Sequence, residues 1–220
     1  MSAVVITGAG SGLGKALAHV YGSHYKEVLL LGRNEERLAK AKEELTAENI
    51  QSTVYSFDTT DYEKTAQFAE NAFQNHEISL LINNAGAGHF GPIETLGEKE
   101  IHEIIDTNVK GTIFMTQAFI KQFQKTGQGE ILQIISTAGL RGKVNESVYN
   151  ASKFAVRGFT EGLRKELAET SIKIKAAYMG GMDTPFWDST SHISDKSRLK
   201  NPMDIARKIF SEESEDIVFD

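Results

Sequence analysis

The chain has 220 residues, 40% hydrophobic and 25% charged, which is ordinary for a globular protein and long enough to bury a full core. Its 24 Lys and Arg against 30 Asp and Glu give a formal net charge of −6, which argues against a nucleic-acid partner and, more weakly, an anionic membrane surface. No run of 18 apolar residues implies a transmembrane helix, MSAVVITGAG does not read as a signal peptide, and the lack of cysteine excludes disulfides and thiolate chemistry and fits a cytoplasmic protein.

The first predicted strand, Ala3–Thr7, runs into Thr7-Gly8-Ala9-Gly10-Ser11-Gly12-Leu13-Gly14 and then a helix with Leu13, Leu17, Val20 and Tyr21 on one face. Glycines at 8, 12 and 14 permit a tight turn, close approach of the backbone to a pyrophosphate and close helix packing. The helix N-terminus then offers unpaired N–H groups and a partial positive charge to phosphates. A plain surface loop is the competing reading. An ATP-binding P-loop fails on chemistry, because Gly14-Lys15 is followed by Ala16 and supplies no hydroxyl for Mg²⁺.

The second strand, Glu27–Leu31, ends in Gly32-Arg33-Asn34. An acid at this point would hold the adenosine ribose of NAD, whereas the arginine fork suits a 2′-phosphate, so NADP(H) is expected in preference to NAD(H). Such a charge-assisted pair is worth about 1.5–3 kcal/mol, or about 10- to 100-fold in preference. A solvated arginine opening the charged helix around Leu38, Ala41 and Leu45 is the alternative.

Further strands are predicted at Ser52–Phe57, Ser79–Ile82, Glu130–Ile135 and Lys173–Tyr178. Several are continuously apolar, as strands covered on both faces are. Phe68, Ala72 and Phe73 mark a third helix. Thr95 and Glu98 suggest a capping box for a long helix from about Leu96 to Phe123. Ala155, Phe159, Leu163 and Leu167 mark another, and Asn201-Pro202 suggests an N-cap followed by proline at the first helical position. The polar stretch 185–199 suggests a mobile lid, in which Phe186 and Trp187 either cover an apolar substrate or pack elsewhere. Ile217-Val218-Phe219-Asp220 is either a seventh strand or a frayed tail. Strand–helix alternation throughout predicts one domain over 1–220, an α/β doubly wound parallel sheet (Rossmann fold) with helices on both faces.

These motifs together resemble the short-chain dehydrogenase/reductase family: Thr7–Gly14, Asp58, Asn83-Asn84-Ala85-Gly86, Asn108, Ser136 and Tyr149-Asn150-Ala151-Ser152-Lys153, in order, over about Ala3–Phe210. Tyr149 and Lys153 are four apart on a helix and so share a face. Moving a phenol from its usual pKa of about 10 to about 7 takes about 4 kcal/mol, which Lys153 and a nicotinamide cation together could supply. The resemblance implies that Tyr149 exchanges a proton with a carbonyl or alcohol oxygen and that Lys153 lowers its pKa and holds the nicotinamide ribose. It implies that Ser136 bonds the reacting oxygen and that Asn108 supports a proton relay. Thr7, Gly8, Ser11, Gly12, Leu13 and Gly14 would then hold the pyrophosphate, Asp58 the adenine, and Asn84, Ala85 and Gly86 the cofactor floor. Each residue also has an ordinary structural use: Ser136 as a turn cap, Asn108 at a bend, Tyr149 as a half-buried ring, Lys153 as a solvated helix lysine.

The family's proline after the sixth strand is replaced by Met179, which is expected to alter loop entry. Gly180 and Thr184 remain in register as cofactor contacts, and Met182 is placed beside them as another. Phe90, Arg141, Met179, Phe186 and Trp187 are the expected pocket residues. The six histidines show no metal-ligand spacing, so no metal site is expected. His89 is placed on a loop surface, with a pocket-lining role as the alternative. The function implied is an NADPH-dependent carbonyl reductase or alcohol dehydrogenase on a small-molecule substrate, a homodimer or homotetramer through the helices near Ile101–Phe123 and Tyr149–Leu167. A non-catalytic NADP(H) sensor, and more weakly an isomerase or epimerase on the same scaffold, are the rivals.

Overall fold

In the computed structural model the described residues are 2–188, 190, 192–193 and 195–219. Ser189, Ser191 and Ser194 of the expected lid, and Asp220 of the final run, lie outside them. Seven parallel strands form one sheet in the order β3-β2-β1-β4-β5-β6-β7. They are β1 (Ala3–Thr7), β2 (Glu27–Gly32), β3 (Ser52–Ser56), β4 (Ile78–Asn83), β5 (Gly129–Ile134), β6 (Ile172–Met179) and β7 (Asp216–Phe219). The helices are α1 (Gly12–Gly22), α2 (Glu35–Ala47), α3 (Tyr62–Asn75), α4 (Glu98–Ile105), α5 (Thr112–Thr126), α6 (Ser147–Glu166) and α7 (Pro202–Ser211).

The pleat sends alternate residues of each strand to opposite faces. Val4, Ile6, Val28, Leu30, Leu80 and Ile82 pack on one side with Leu13 and Leu17 of α1, Leu38 and Leu45 of α2, and Ile205 and Ile209 of α7. Val5, Leu29, Leu31 and Leu81 pack on the other with Phe68 of α3, Phe119 and Phe123 of α5, and Leu163 of α6. Being covered on both faces is why these strands are continuously apolar. The order reverses between β1 and β4, where the first crossover goes one way and the later ones the other. That opens a crevice at the carboxyl ends of the strands.

Several expectations change at the ends of elements. Thr95 does not open a capping box: its hydroxyl donates to the Pro92 carbonyl at 2.8 Å, and the residue before α4 is Gly97, whose side is uncapped. The helix expected from Leu96 to Phe123 is interrupted by a π-helical turn at Asp106–Gly111. Asn201 does cap α7, its Oδ1 accepting from the Met203 amide at 2.8 Å, with Pro202 next. The final run is a strand. Met179 pairs with Phe219, and Arg164 of α6 donates to the Ile174 and Glu215 carbonyls at 2.9 and 2.6 Å, pinning β7 to β6. Met179 is the last residue of β6, and the Gly180 amide after it donates to the Phe219 carbonyl at 2.9 Å, so pairing with β7 runs to the start of the loop. Among the described residues no helix is long and apolar enough to cross a membrane.

Candidate active site

The crevice at the strand ends is a cavity of about 420 Å³ that runs from the β1–α1 turn to the loop after β6. Gly8, Ser11, Gly12, Leu13 and Gly14 line its first stretch. Gly8 and Gly12 are left-handed, with φ of 66° and 52°. A Cβ on Gly14 would stand 2.2 Å from the Gly8 carbonyl oxygen and 2.5 Å from Asn84 Nδ2. Ser11 precedes α1 without a side-chain cap, so the first-turn N–H groups of α1 face the cavity free for an anion. Thr7 does not line the cavity but braces it. Its Oγ1 accepts from the Asn84 and Ala85 amides at 2.9 and 3.0 Å, and Asn84 Nδ2 donates to the Thr7 carbonyl at 3.0 Å. The glycine turn is thus clamped to the end of β4.

At the β2 end the cavity is lined by Arg33, Asn34 and Arg37. The Arg33 guanidinium lies 3.9 Å from Asp58 and 3.6 Å from Glu103, in an exposed cluster. Asp58 Oδ1 also accepts from the Thr60 amide at 2.9 Å, so it holds its turn as well as facing Arg33. Sequence reasoning passed over Arg37. It reaches the cavity because Asn34 caps α2, Oδ1 accepting from the Arg37 amide at 2.8 Å, and turns the first coil of the helix toward the glycines. A Cβ on Gly10 would be 3.0 Å from Arg37 Cβ. The available signal was its place, three residues after the Asn34 cap in the first turn of α2.

The other end gathers the expected proton-transfer residues. Ser136 follows β5. Its Oγ accepts from the Ala138 amide at 3.1 Å, which is the turn cap, and it hydrogen-bonds the Tyr149 hydroxyl. Tyr149 and Lys153 lie on α6 and both line the cavity. Lys153 Nζ is 5.7 Å from the centre of the Tyr149 ring and donates to the Ile134 carbonyl at 3.4 Å. Burial raises the Tyr149 phenol above the ordinary tyrosine range, the Ser136 bond pulls it down, and the Glu146 charge raises it. Burial pulls the Lys153 ammonium down to about 8. Desolvation is thus the largest influence on the phenol, and it acts against the lowering expected of Lys153. Asn108 sits in the π-helical turn, nearly sealed. Its Oδ1 accepts from the Ala87 amide at 2.7 Å, and its Nδ2 donates to the Ala87 carbonyl at 2.9 Å and to Ser152 Oγ at 3.0 Å. Both amide hydrogens of Asn108 and one of its oxygen lone pairs are thereby engaged in holding the loop after β4 against α6. A Cβ on Gly86 would fall 3.4 Å from Asn108 Oδ1 and 3.8 Å from Lys153 Nζ, so the cavity floor, Asn84–Gly86, lies directly beside them.

After β6, Met179, Gly180, Met182 and Thr184 line the cavity. Thr184 faces the glycine turn: a Cβ on Gly12 would be 3.1 Å from its Cβ. Pro185–Trp187 form a single 3₁₀ turn, and the Trp187 indole N–H donates to the Met182 carbonyl at 2.9 Å. Phe186 and Trp187 line the cavity, and Phe90 stands against them at ring distances of 5.9 and 5.1 Å. Arg141 is exposed and is not among the described lining residues. His89 bonds Glu103 at 3.0 Å. Ile193, an apolar residue in the polar stretch 185–199, also lines the cavity, as do Lys143 and Glu146, which had no distinguishing sequence signal. Among the described residues no group of His, Asp and Glu is arranged to hold a metal.

A family model described as short chain dehydrogenase matches residues 2–194. An uncharacterised oxidoreductase of Staphylococcus aureus (strain MW2) is 32% identical over 93% of this chain and 87% of its own length. The fold is similar to an alcohol dehydrogenase from the archaeon Thermococcus sibiricus complexed with 5-hydroxy-NADP, at a TM-score of 0.88 and 25% identity over 100% of this chain and 96% of that one. It is also similar to ElxO with NADP bound, at a TM-score of 0.87 and 27% identity over 99% of this chain and 96% of that one.

Proposed function

The chain belongs to the short-chain dehydrogenase family of oxidoreductases, and from that membership we propose that it is an NADPH-dependent oxidoreductase that reduces small ketones or aldehydes and, in reverse, oxidises secondary alcohols. The observation that carries the reading is one continuous cavity with two arginines at one end, a glycine cradle in the middle and Ser136, Tyr149 and Lys153 at the other. Those residues fit a dinucleotide: cradle positions where a Cβ would collide, an uncapped helix N-terminus for the pyrophosphate, and guanidinium forks for a 2′-phosphate. The relatives crystallised with NADP or an NADP derivative support the same choice.

When bound, NADPH would supply the hydride. The chain's own groups do the rest. Gly8–Gly14 would hold the pyrophosphate, Arg33 and Arg37 the 2′-phosphate, Asp58 the adenine side, and Thr184, Met182 and Gly180 the nicotinamide side. Ser136 would bond the carbonyl oxygen and Tyr149 would give it a proton from the phenol. Lys153, whose charge burial disfavours, gains from any hydroxyl or phenolate oxygen brought within reach, and that gain lowers the Tyr149 pKa in the loaded site. Asn108 fixes the loop carrying Ala87 against α6, so its part is positioning, with any relay running through backbone and water around it. Phe154 of α6 and Tyr62, both 43% exposed, are apolar surface near the helices through which a homodimer or homotetramer would form. A cytoplasmic setting is in keeping with the cysteine-free composition.

The test is a fluorescence titration with NADPH and NADH followed by NADPH oxidation against a panel of ketones, diketones and quinones. NADPH is expected to bind and to be consumed by at least one carbonyl class. Binding with no turnover across the panel would point to a sensor instead. Arg33→Asp places a third acid beside Asp58 and Glu103. The NADPH-to-NADH affinity ratio is expected to fall by about 10- to 100-fold. An unchanged ratio would mean that Arg37 alone reads the 2′-phosphate.

A further inference from the structure

The loop after β6 reaches the head of the helix that carries Tyr149 through His192. His192 Nε2 lies 3.0 Å from Glu146 Oε1, and its ring stacks on Phe90 at 4.8 Å and 15°. Phe90 stacks in turn on Trp187 at 5.1 Å and meets Tyr149 edge-on at 5.4 Å. Glu146 is the acid at the end of this chain of rings. Its side chain is only 8% exposed, and it lines the same cavity as Tyr149, three residues before it at the start of α6. The backbone that places it is fixed from behind. Asn145 is left-handed, with φ 62°, and its carbonyl accepts the Gly91 amide at 2.8 Å, tying the Phe90 loop to the head of α6. A buried carboxylate is costly unless paired, and His192, charged only when protonated, is its hydrogen-bonded partner.

Resting on the reading of Tyr149 as the proton-transfer group, we propose that Glu146 is a positioning residue for it: through His192 the carboxylate draws the loop after β6 over the cleft, and it sets a negative charge in the cavity that Tyr149 lines. Two cations face the same space, Lys153 on α6 and Lys143 on the cavity wall, and by sign they favour the phenolate. Glu146 opposes them. Its charge acts on the phenol in the same direction as burial. A protonated Tyr149 is the form that protonates a carbonyl, whereas alcohol oxidation needs the phenolate. Closing the loop and holding the proton are therefore one arrangement suited to reduction near neutral pH.

The test compares the pH profile of ketone reduction in wild type, E146Q, E146D and H192A, using NADPH and the best-reduced ketone of the panel above. Emission of Trp187, the chain's one tryptophan, is recorded without nucleotide. E146Q removes the charge and keeps an oxygen for His192. Its basic limb is expected about one pH unit lower, so that the rate at a pH on that limb falls about tenfold, with KM little changed. E146D keeps the charge and loses reach, so the limb stays and KM rises. H192A leaves the carboxylate unpaired. Its Trp187 emission is expected to shift to the red and its KM to rise at least about fivefold, the loss of one charge-assisted bond, with a limb no lower than wild type. Superimposable profiles for E146Q and wild type, alongside an inactive Y149F, would overturn this proposal alone. Unchanged Trp187 emission in both E146D and H192A would overturn the closure. Full turnover by Y149F would overturn the parent reading and this with it. Should E146Q fail to fold, a limb that moves down in E146D would count against the proposal equally.

Discussion

Replacing Tyr149 by phenylalanine is expected to lower kcat by about 10²- to 10⁴-fold, the usual contribution of a positioned general acid, while NADPH affinity stays within about twofold of wild type on the same reasoning. The ring would keep its edge-on contact with Phe90 and its packing against Phe186, so the cavity wall survives. Lost are the proton and the bond with Ser136. Single-turnover NADPH oxidation reports the chemistry, and a fluorescence titration reports the binding. Near-normal turnover would remove the phenol from the mechanism. Ser136→Ala provides the comparison. It deletes a bond that lowers the phenol pKa and also uncaps the turn at Ala138, so a smaller loss of rate there than at Tyr149 separates orientation from proton supply.

Gly14→Ala should be the most damaging change in the nucleotide half. A methyl group there meets the Gly8 carbonyl oxygen at 2.2 Å and Asn84 Nδ2 at 2.5 Å, both held rigidly by the Thr7–Asn84 clamp. Alanine gains about 1 kcal/mol of helix propensity over glycine, but overpacking a fixed backbone costs about 1–3 kcal/mol. Relief requires α1 to move off β1, carrying its N-terminus away from the phosphate position. The expected outcome is a lower melting temperature and at least about a tenfold loss of NADPH affinity, the equivalent of 1.4 kcal/mol. Gly158→Ala is the control. Gly158 lies within α6 and a Cβ there meets nothing within 4 Å, so the same substitution should stabilise by about 0.5–1 kcal/mol. If both variants behave alike, the crowding at Gly14 is not what holds the turn.

The centre of the sheet could be read from the chain because strands buried on both faces, such as β1, β2 and β4, are almost wholly apolar; β3 and the alternating start of β6 are less uniform, yet all six strands named with a range fall within a residue or so of their predicted bounds. The long helix from Leu96 was misjudged for a local reason. Its apolar periodicity continues across Asp106–Gly111, and nothing in the residue types marks the change from α to π hydrogen bonding. Thr95 looked like a cap because a hydroxyl three residues before a glutamate suits one, yet the Pro92 carbonyl captured it first. In the candidate site, the motif residues were legible because short spacings placed them, Tyr149 to Lys153 most directly. Glu146 and His192 are 46 residues apart, and His89 and Glu103 are 14 apart across a loop. Such pairs exist only once the strand ends bring their loops together. The direction of the Tyr149 shift was likewise hidden, since it depends on how much water the fold excludes and not on which cations are near in sequence.

The π-helical turn at Asp106–Gly111 carries one more residue than the regular helix on either side would need. Its consequence is evolutionary. A single-residue deletion there would let α4 and α5 run on as one regular helix with their faces still in step, and it would shift only the residues inside the turn, by about 100° around the axis. Asn108, whose amide closes both the Ala87 backbone pair and the Ser152 bond, would turn off that seam entirely. Indels that surface helices commonly absorb are thus foreclosed at this place, and descendants of this sequence can drift in the residue types of the turn far more readily than in its length.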